Sequence, residues 1–168
     1  KDAKPNDLLV LAGGRTGRDG IHGVTFASTE LSEESEKVSR PAVQIANPIE
    51  EEKLKRSVIK IRDQRLGSAI TDLGGGGLSS AVGETAHRFN CGAIVDLDHV
   101  PLKYSGLAPW EIYVSESQER MLLAVPAVNL QRVLDIFGEE DVEATVIGGL
   151  TADKILRIHY HGEKAAEM

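Results

Sequence analysis

The chain has a single cysteine, Cys91, among 168 residues. One thiol excludes an internal disulfide framework and any zinc site built on clustered cysteines. Aromatic residues make up only 4%, too few for a surface that stacks nucleic-acid bases. Basic residues are outnumbered, 19 Lys+Arg against 26 Asp+Glu, for a formal net charge of −7. Such a chain is a poor default partner for nucleic acid or for an anionic membrane. No run of about 18 apolar residues occurs, so no membrane-spanning helix is expected. The N-terminus begins at Lys1 in a polar stretch and lacks the basic, apolar and small-residue order of a signal peptide. Either processing or excision from a longer protein accounts for that start. A reducing, cytoplasmic setting is the expectation.

What is present fits one packed domain over residues 1–168, with a hydrophobic share of 41% and a charged share of 27%. Glycine is the conspicuous residue. Five of the 17 fall between Gly13 and Gly23 and four are consecutive, Gly74 to Gly77. Glycine loses the most backbone entropy on ordering. Two such clusters mark tight turns, or backbone that comes close to a ligand.

Hydrophobic periodicity places the elements. Leu8 to Leu11 and Val24 to Ser28 read as strands, and Thr29 to Arg40 as an acidic, Ser-rich surface loop. Asn47-Pro48 followed by Glu50 to Glu52 predicts a helix start. Leu54, Val58 and Ile61 continue it, and Arg65 and Gly67 close it. Ser68 to Asp72 is a strand entering the second glycine loop, and Ser79 or Ser80 caps the next helix, through about Phe89. A strand at Ala93 to Leu97, a short helix at Pro109 to Tyr113 and a strand at Met121 to Val125 follow. Pro126 opens a helix stopped by Gly138. Val142 to Ile147 and Ile155 to Tyr160 read as a closing strand pair, and the tail at 163–168 as frayed. The expected class is α+β, a mixed sheet with helices packed on its faces.

Several polar groups could carry chemistry. Asp72 sits at the carboxyl end of a strand, before a glycine loop and a helix start. There it could ligate Mg²⁺ beside a phosphate, or simply cap a turn. Arg15 and Arg18 could fork onto phosphate, or pair with Asp19 to shape their own loop. Neither loop is a phosphate-binding Gly-Lys-Ser/Thr motif or a dinucleotide fingerprint. Glu116, Ser117 and Gln118, in a polar run before an apolar strand, offer donors and acceptors for a hydroxyl- or amide-bearing ligand, or form a solvated turn. Gln44 is a lone amide in an apolar stretch, facing either backbone or ligand. The five histidines show no metal-binding spacing, and Cys91 has no nearby cation to activate it.

Taken in order, Gly13 to Gly23, Thr25 to Ser28, Val43-Gln44-Ile45, Asp72 to Ser80 and Ser115 to Met121 (SESQERM) resemble phosphoribosylformylglycinamidine synthase, the amidotransferase synthetase of purine biosynthesis. The likeness covers most of residues 5–160. SESQERM best separates it from relatives such as aminoimidazole ribonucleotide synthetase, selenophosphate synthetase and the hydrogenase-maturation proteins. The resemblance implies the first C-type domain of that enzyme, a layered α/β/α fold like the C-terminal domain of aminoimidazole ribonucleotide synthetase. It implies substrate-binding roles for Gln44, Glu116, Ser117 and Gln118, and a Mg²⁺ ligand in Asp72. It also implies ATP held mainly by a preceding N-type domain. The substrate would be formylglycinamide ribonucleotide, and the partners a glutaminase subunit and a small accessory subunit. The isolated fragment would be inactive, and none of the five histidines inherits the family's catalytic role. Two departures stand out: Ala46-Asn47-Pro48 where Gly-Asp-Pro is usual, and Gly75-Gly76 where two alanines are common. The alternatives are a domain of another ATP-dependent synthetase of that superfamily, or a non-catalytic binding or assembly domain.

Overall fold

The computed structural model describes residues 2–21 and 46–168. The expected strand at Val24 to Ser28, the loop at Thr29 to Arg40, and Gln44 lie outside those residues.

Strand β1 (Leu8–Gly13) is almost continuously apolar, and from Leu9 onward it is buried. Its place in the sheet explains why. It lies between β4 (Arg120–Val125) and β5 (Ala144–Thr151), antiparallel to both. Alternate side chains therefore enter two different cores. Leu9 and Leu11 join a cluster with Leu78, Val82, Val95, Ile112 and Ile147. Val10 and Ala12 join a second, with Leu54, Ile61, Val133, Ile136 and Phe137. A strand covered on both faces has no reason to alternate apolar with polar.

Helix α1 (Pro48–Asp63) starts as expected. The Asn47 side chain accepts from the Glu50 N–H at 3.3 Å, Pro48 takes the first turn, and Glu50 and Glu51 meet the positive end of the dipole. Its buried stripe is Leu54, Ser57 and Ile61. Arg65, in the left-handed region at φ 55°, turns the chain away after the helix. Strand β2 (Ala69–Asp72) follows, then α2 (Gly77–Arg88), β3 (Gly92–Asp96), the short helix α3 (Pro109–Val114), β4, α4 (Leu130–Glu139), β5, β6 (Leu156–Tyr160) and β7 (Glu163–Glu167). Helices α2 and α3 contribute to the first core, α1 and α4 to the second. The result is a three-layer α/β/α sandwich around a seven-stranded sheet of order β2-β4-β1-β5-β3-β6-β7. Among the described strands only β3 and β6 run parallel; the sheet is mixed.

Four local expectations change. Neither Ser79 nor Ser80 caps α2; Gly76, at φ 80°, is the cap residue. Both hydroxyls instead donate backwards, Ser79 to the Gly76 carbonyl and Ser80 to the Gly75 carbonyl, each at 2.6 Å. A hydroxyl inside the first turn finds a carbonyl nearer than an amide. Pro126 leads first into a 3₁₀ turn, Ala127–Asn129, and Gly138 lies within α4 rather than ending it. β5 and β6 are not a hairpin, because β3 lies between them and pairs with each. Residues 152–155 cross over the start of β3, a gap of about 9.5 Å at twice the strand spacing. At Gly92 a Cβ would stand 2.5 Å from the Ile155 carbonyl oxygen, so the crossing requires glycine there. Finally, the tail is a strand: β7 pairs with β6 through a two-residue turn, His161-Gly162, both at positive φ. Such a turn matches the twist of the flanking strands. The Asp98 carboxylate also accepts from the His161 N–H at 2.7 Å.

Candidate functional site

β4 runs antiparallel to both β1 and β2. The loops that leave β1 and β2 and the loop that enters β4 must therefore meet at one end of the sheet. Those are the two glycine loops and the Ser115 to Glu119 segment. Asp72 is in register with Met121, and Gly13 with Arg120.

The polar segment faces two ways. Ser115 and Ser117 are buried against the first glycine loop. The Ser115 hydroxyl donates to the Gly17 carbonyl at 2.7 Å, and Ser117 Oγ accepts from the Gly17 N–H at 2.9 Å. The Ser117 hydroxyl also bonds the Asp19 carboxylate, which takes Lys103 Nζ at 2.5 Å. Burial pushes the Asp19 carboxyl upward, but the hydrogen bonds from Lys103 and Ser117 outweigh it and leave it below its ordinary value. On the other side, Glu116 Oε1 accepts from the Gly76 N–H at 3.0 Å, where the second glycine loop leads into α2. One amide at this helix start, that of Gly76, thus meets a protein carboxylate, a favourable neighbour for the positive dipole end. Gln118 Nε2 donates to the Glu116 carbonyl at 3.2 Å. Glu119, at φ 53°, turns the chain into β4; its carboxylate accepts from the Asn47 N–H and its carbonyl from the Gly14 N–H, both at 3.0 Å.

Beneath the segment lies Arg120, 2% exposed. Its guanidinium donates to the carbonyls of Ser117 (2.8 Å) and Ser115 (2.6 Å) and to Thr16 Oγ1 (2.8 Å). Desolvation pulls its pKa down to about 10, against the pull of Asp19, so it remains a cation at neutral pH. The other loop arginines do not pair with Asp19. Arg15 meets Glu143 at 2.8 Å, and Arg18 meets Glu111 at 2.6 Å and the Gly106 carbonyl at 2.7 Å. Arg18 thereby ties the first glycine loop to α3 and to the segment before it.

Two cavities adjoin at Gln118 and Glu119. One, of about 530 Å³, is lined by Asp72, Gly74, Lys55, Gln118 and Met121. The other, of about 840 Å³, is lined by Gly14, Arg15, Asn47, Lys53 and Lys103. Ala46 borders both. Asp72 is exposed and Gln118 half-buried, on one cavity wall. Glu116 and Ser117 are buried in the loop's own framework. Sequence reasoning missed Arg120 and Lys103. An arginine starting the apolar run Met121 to Val125 was a readable signal for Arg120, since a cation there must be buried and bonded. Lys103 carried none. Among the described residues no group of three or more His, Cys, Asp or Glu is placed to hold a metal.

A mixed sheet between two helical layers, with glycine loops and a polar segment gathered at one end, defines a three-layer α/β/α domain with a ligand-type site at the sheet end. Residues 4–161 match the family described as AIR synthase related protein, C-terminal domain, and the chain belongs to that family. It is 45% identical over 168 residues to the phosphoribosylformylglycinamidine synthase subunit PurL of Thermoplasma acidophilum, covering 100% of this chain and 22% of that protein. It is 43% identical over 165 residues to the same subunit of Pyrococcus abyssi, covering 98% of this chain and 23% of that protein. The chain thus spans under a quarter of the length of these curated relatives. Among solved structures, T. maritima PurL complexed with FGAR superposes with a TM-score of 0.91 at 35% identity, over 100% of this chain and 28% of that one. T. maritima PurL complexed with ATP gives 0.84 at 31%, over 100% of this chain and 25% of that one. E. coli HypE, at 20% identity and TM-score 0.68 over 97% of this chain and 49% of that one, shares the fold. The resemblance carried by SESQERM and the glycine loops is therefore matched over nearly the whole chain.

Proposed function

We propose that this chain is the substrate-side C-type domain of a phosphoribosylformylglycinamidine synthase. In that reaction ATP phosphorylates the amide oxygen of formylglycinamide ribonucleotide, and ammonia displaces phosphate to leave the amidine. The observation that carries the reading is the placement of Asp72 and Gln118 on one cavity wall, where both glycine loops meet the β4 entry. Gln118 donates to and accepts from the ribonucleotide. Glu116 and Ser117, buried in the loop's framework, serve the binding triplet by holding the loop that presents Gln118. Gln44, outside the described residues, takes the fourth substrate-binding role.

Mg²⁺ fits Asp72. The carboxylate is exposed at a strand end with no cluster of acids or histidines around it among the described residues. A hard cation that draws its other ligands from phosphate and water needs only one or two protein carboxylates. When bound, it offsets phosphate charge beside Asp72. ATP itself is held by an N-type domain, and ammonia comes from a glutaminase subunit assembled with a small accessory subunit. The T. maritima PurLQS structure, at 30% identity and TM-score 0.84 over 100% of this chain and 26% of that one, supports such an assembly. A cytoplasmic setting goes with this role; among the described residues no helix is long and apolar enough to cross a membrane.

The test is calorimetric titration of the full-length enzyme with formylglycinamide ribonucleotide. Gln118→Ala is expected to weaken binding by roughly ten- to a hundredfold, the cost of one hydrogen bond to a polar or charged ligand. Asp72→Asn is expected to abolish the gain in affinity from Mg²⁺. Unaltered titration curves for both variants would remove the site assignment. A wild-type enzyme that ignores the ribonucleotide would return the domain to the binding-module reading.

A further inference from the structure

A buried guanidinium is an expensive way to begin a strand. Desolvating a cation costs several kcal/mol before its hydrogen bonds offset any of it, and an apolar side chain is often no less stable there. Arg120 is nevertheless 2% exposed at the head of β4. Its bonds explain what it does. It holds the carbonyls of Ser115 and Ser117 and the hydroxyl of Thr16, so two alternate residues of the polar segment are fastened inward. Their side chains bond the first glycine loop at Gly17. The intervening residues are thereby left to the opposite side, where Glu116 reaches Gly76 and Gln118 lines the cavity beside Asp72. Asp19 completes the arrangement by bonding both Ser117 and Lys103.

We propose that Arg120 is the positioning residue of the site: by fastening the Ser115 and Ser117 carbonyls it dictates which side chains of the segment face the cavity, and so sets the affinity for the ribonucleotide. Asp19 is its second anchor, through Ser117. The inference rests on the cavity beside Asp72 being the substrate site.

The test is steady-state kinetics of the full-length enzyme, varying formylglycinamide ribonucleotide and ATP separately. Arg120→Lys keeps the charge but not the three-way fork. It is expected to raise the KM for the ribonucleotide about tenfold or more with little change in the KM for ATP, the signature of lost ground-state binding. Arg120→Ala should behave likewise and be partly restored by millimolar guanidinium. A merely structural residue would lower kcat in step with the folded fraction and leave the KM of the remaining enzyme untouched; that result overturns the proposal, as does an Arg120→Ala enzyme that folds but ignores guanidinium. Should Arg120→Ala not fold, Asp19→Ala decides. It removes the acceptor shared by Ser117 and Lys103 at a half-buried position and must raise the same KM, and an unchanged KM overturns the proposal. Gln118→Ala is the control. If it raises the ribonucleotide KM and the Arg120 variants do not, positioning fails and the site stands. If it does not, the substrate site itself falls, and the proposal with it.

Discussion

At Gly77 a side chain has nowhere to go. The backbone is left-handed, φ 55°, and a Cβ would stand 1.9 Å from the Ser115 carbonyl oxygen. That oxygen is one of the two carbonyls Arg120 holds. Gly77→Ala therefore strains α2 and pushes on the polar segment together. The left-handed backbone alone costs about 1–2 kcal/mol, and the collision adds to it. The expected result is a lower urea midpoint and weaker ribonucleotide binding, measured by denaturation and calorimetry on the same variant. The sequence made part of this legible. Four successive glycines announced either a tight turn or a close approach, and Asp72 and Gln118 stood out as polar groups beside apolar strands. What the glycines approach was not legible, because Ser115 comes from a distant stretch of chain brought near by the pairing of β2 with β4. Arg120 could be read as a buried cation at the head of an apolar run, but its bond to Thr16 could not, because the two are neighbours only once β1 and β4 are paired.

At the scale of elements, the crossing of residues 152–155 over β3 is held by one carboxylate. Asp153 accepts from the Thr151 hydroxyl at 2.6 Å, from Arg157 at 2.6 Å and from the Ile155 N–H at 3.2 Å. The Thr151 bond, then Arg157 and the Ile155 amide, pull its pKa from 3.8 to about 2. A carboxyl with a lowered folded pKa stabilises the fold above its unfolded value, and that stabilisation is lost as pH falls through the folded value. The contribution should thus be whole at neutral pH and fade between about pH 4 and 2. In Asp153→Asn, melting temperatures compared with wild type are expected to differ at pH 6 and to converge toward pH 2. A constant difference would contradict this account. The last two apolar runs read as a strand pair because nothing local reveals a third strand lying between them. Gly92 alone hinted at it, and a lone glycine at a strand start has many causes. The start of α1 was readable because its cap, proline and acids are all local.

For the whole molecule, β1 is the shared member of both cores, flanked by β4 and β5, while among the described strands β2 and β7 lie at the sheet edges. Amide exchange should follow that order. Val10 and Leu11 should open only with global unfolding, and Ile70 and Ala166 by cheaper local openings. Equal protection at the centre and the edges, read by hydrogen-exchange NMR, would refute a single cooperative unit built on β1. The layered class was visible in the alternation of strand and helix signals, because that alternation is a property of the chain itself; strand order is not, since it depends on which distant edges find one another. The crossing above β3 has one more consequence, for synthesis. β3 is made well before the two strands that enclose it, and β6 cannot take its place until residues 156–160 have left the ribosome. Until then Ala93, Ile94 and Val95 stand at an unshielded edge, open to any other nascent strand. A chain truncated after Thr151 would keep that edge, so the β6–β7 hairpin is what shields β3 on that side.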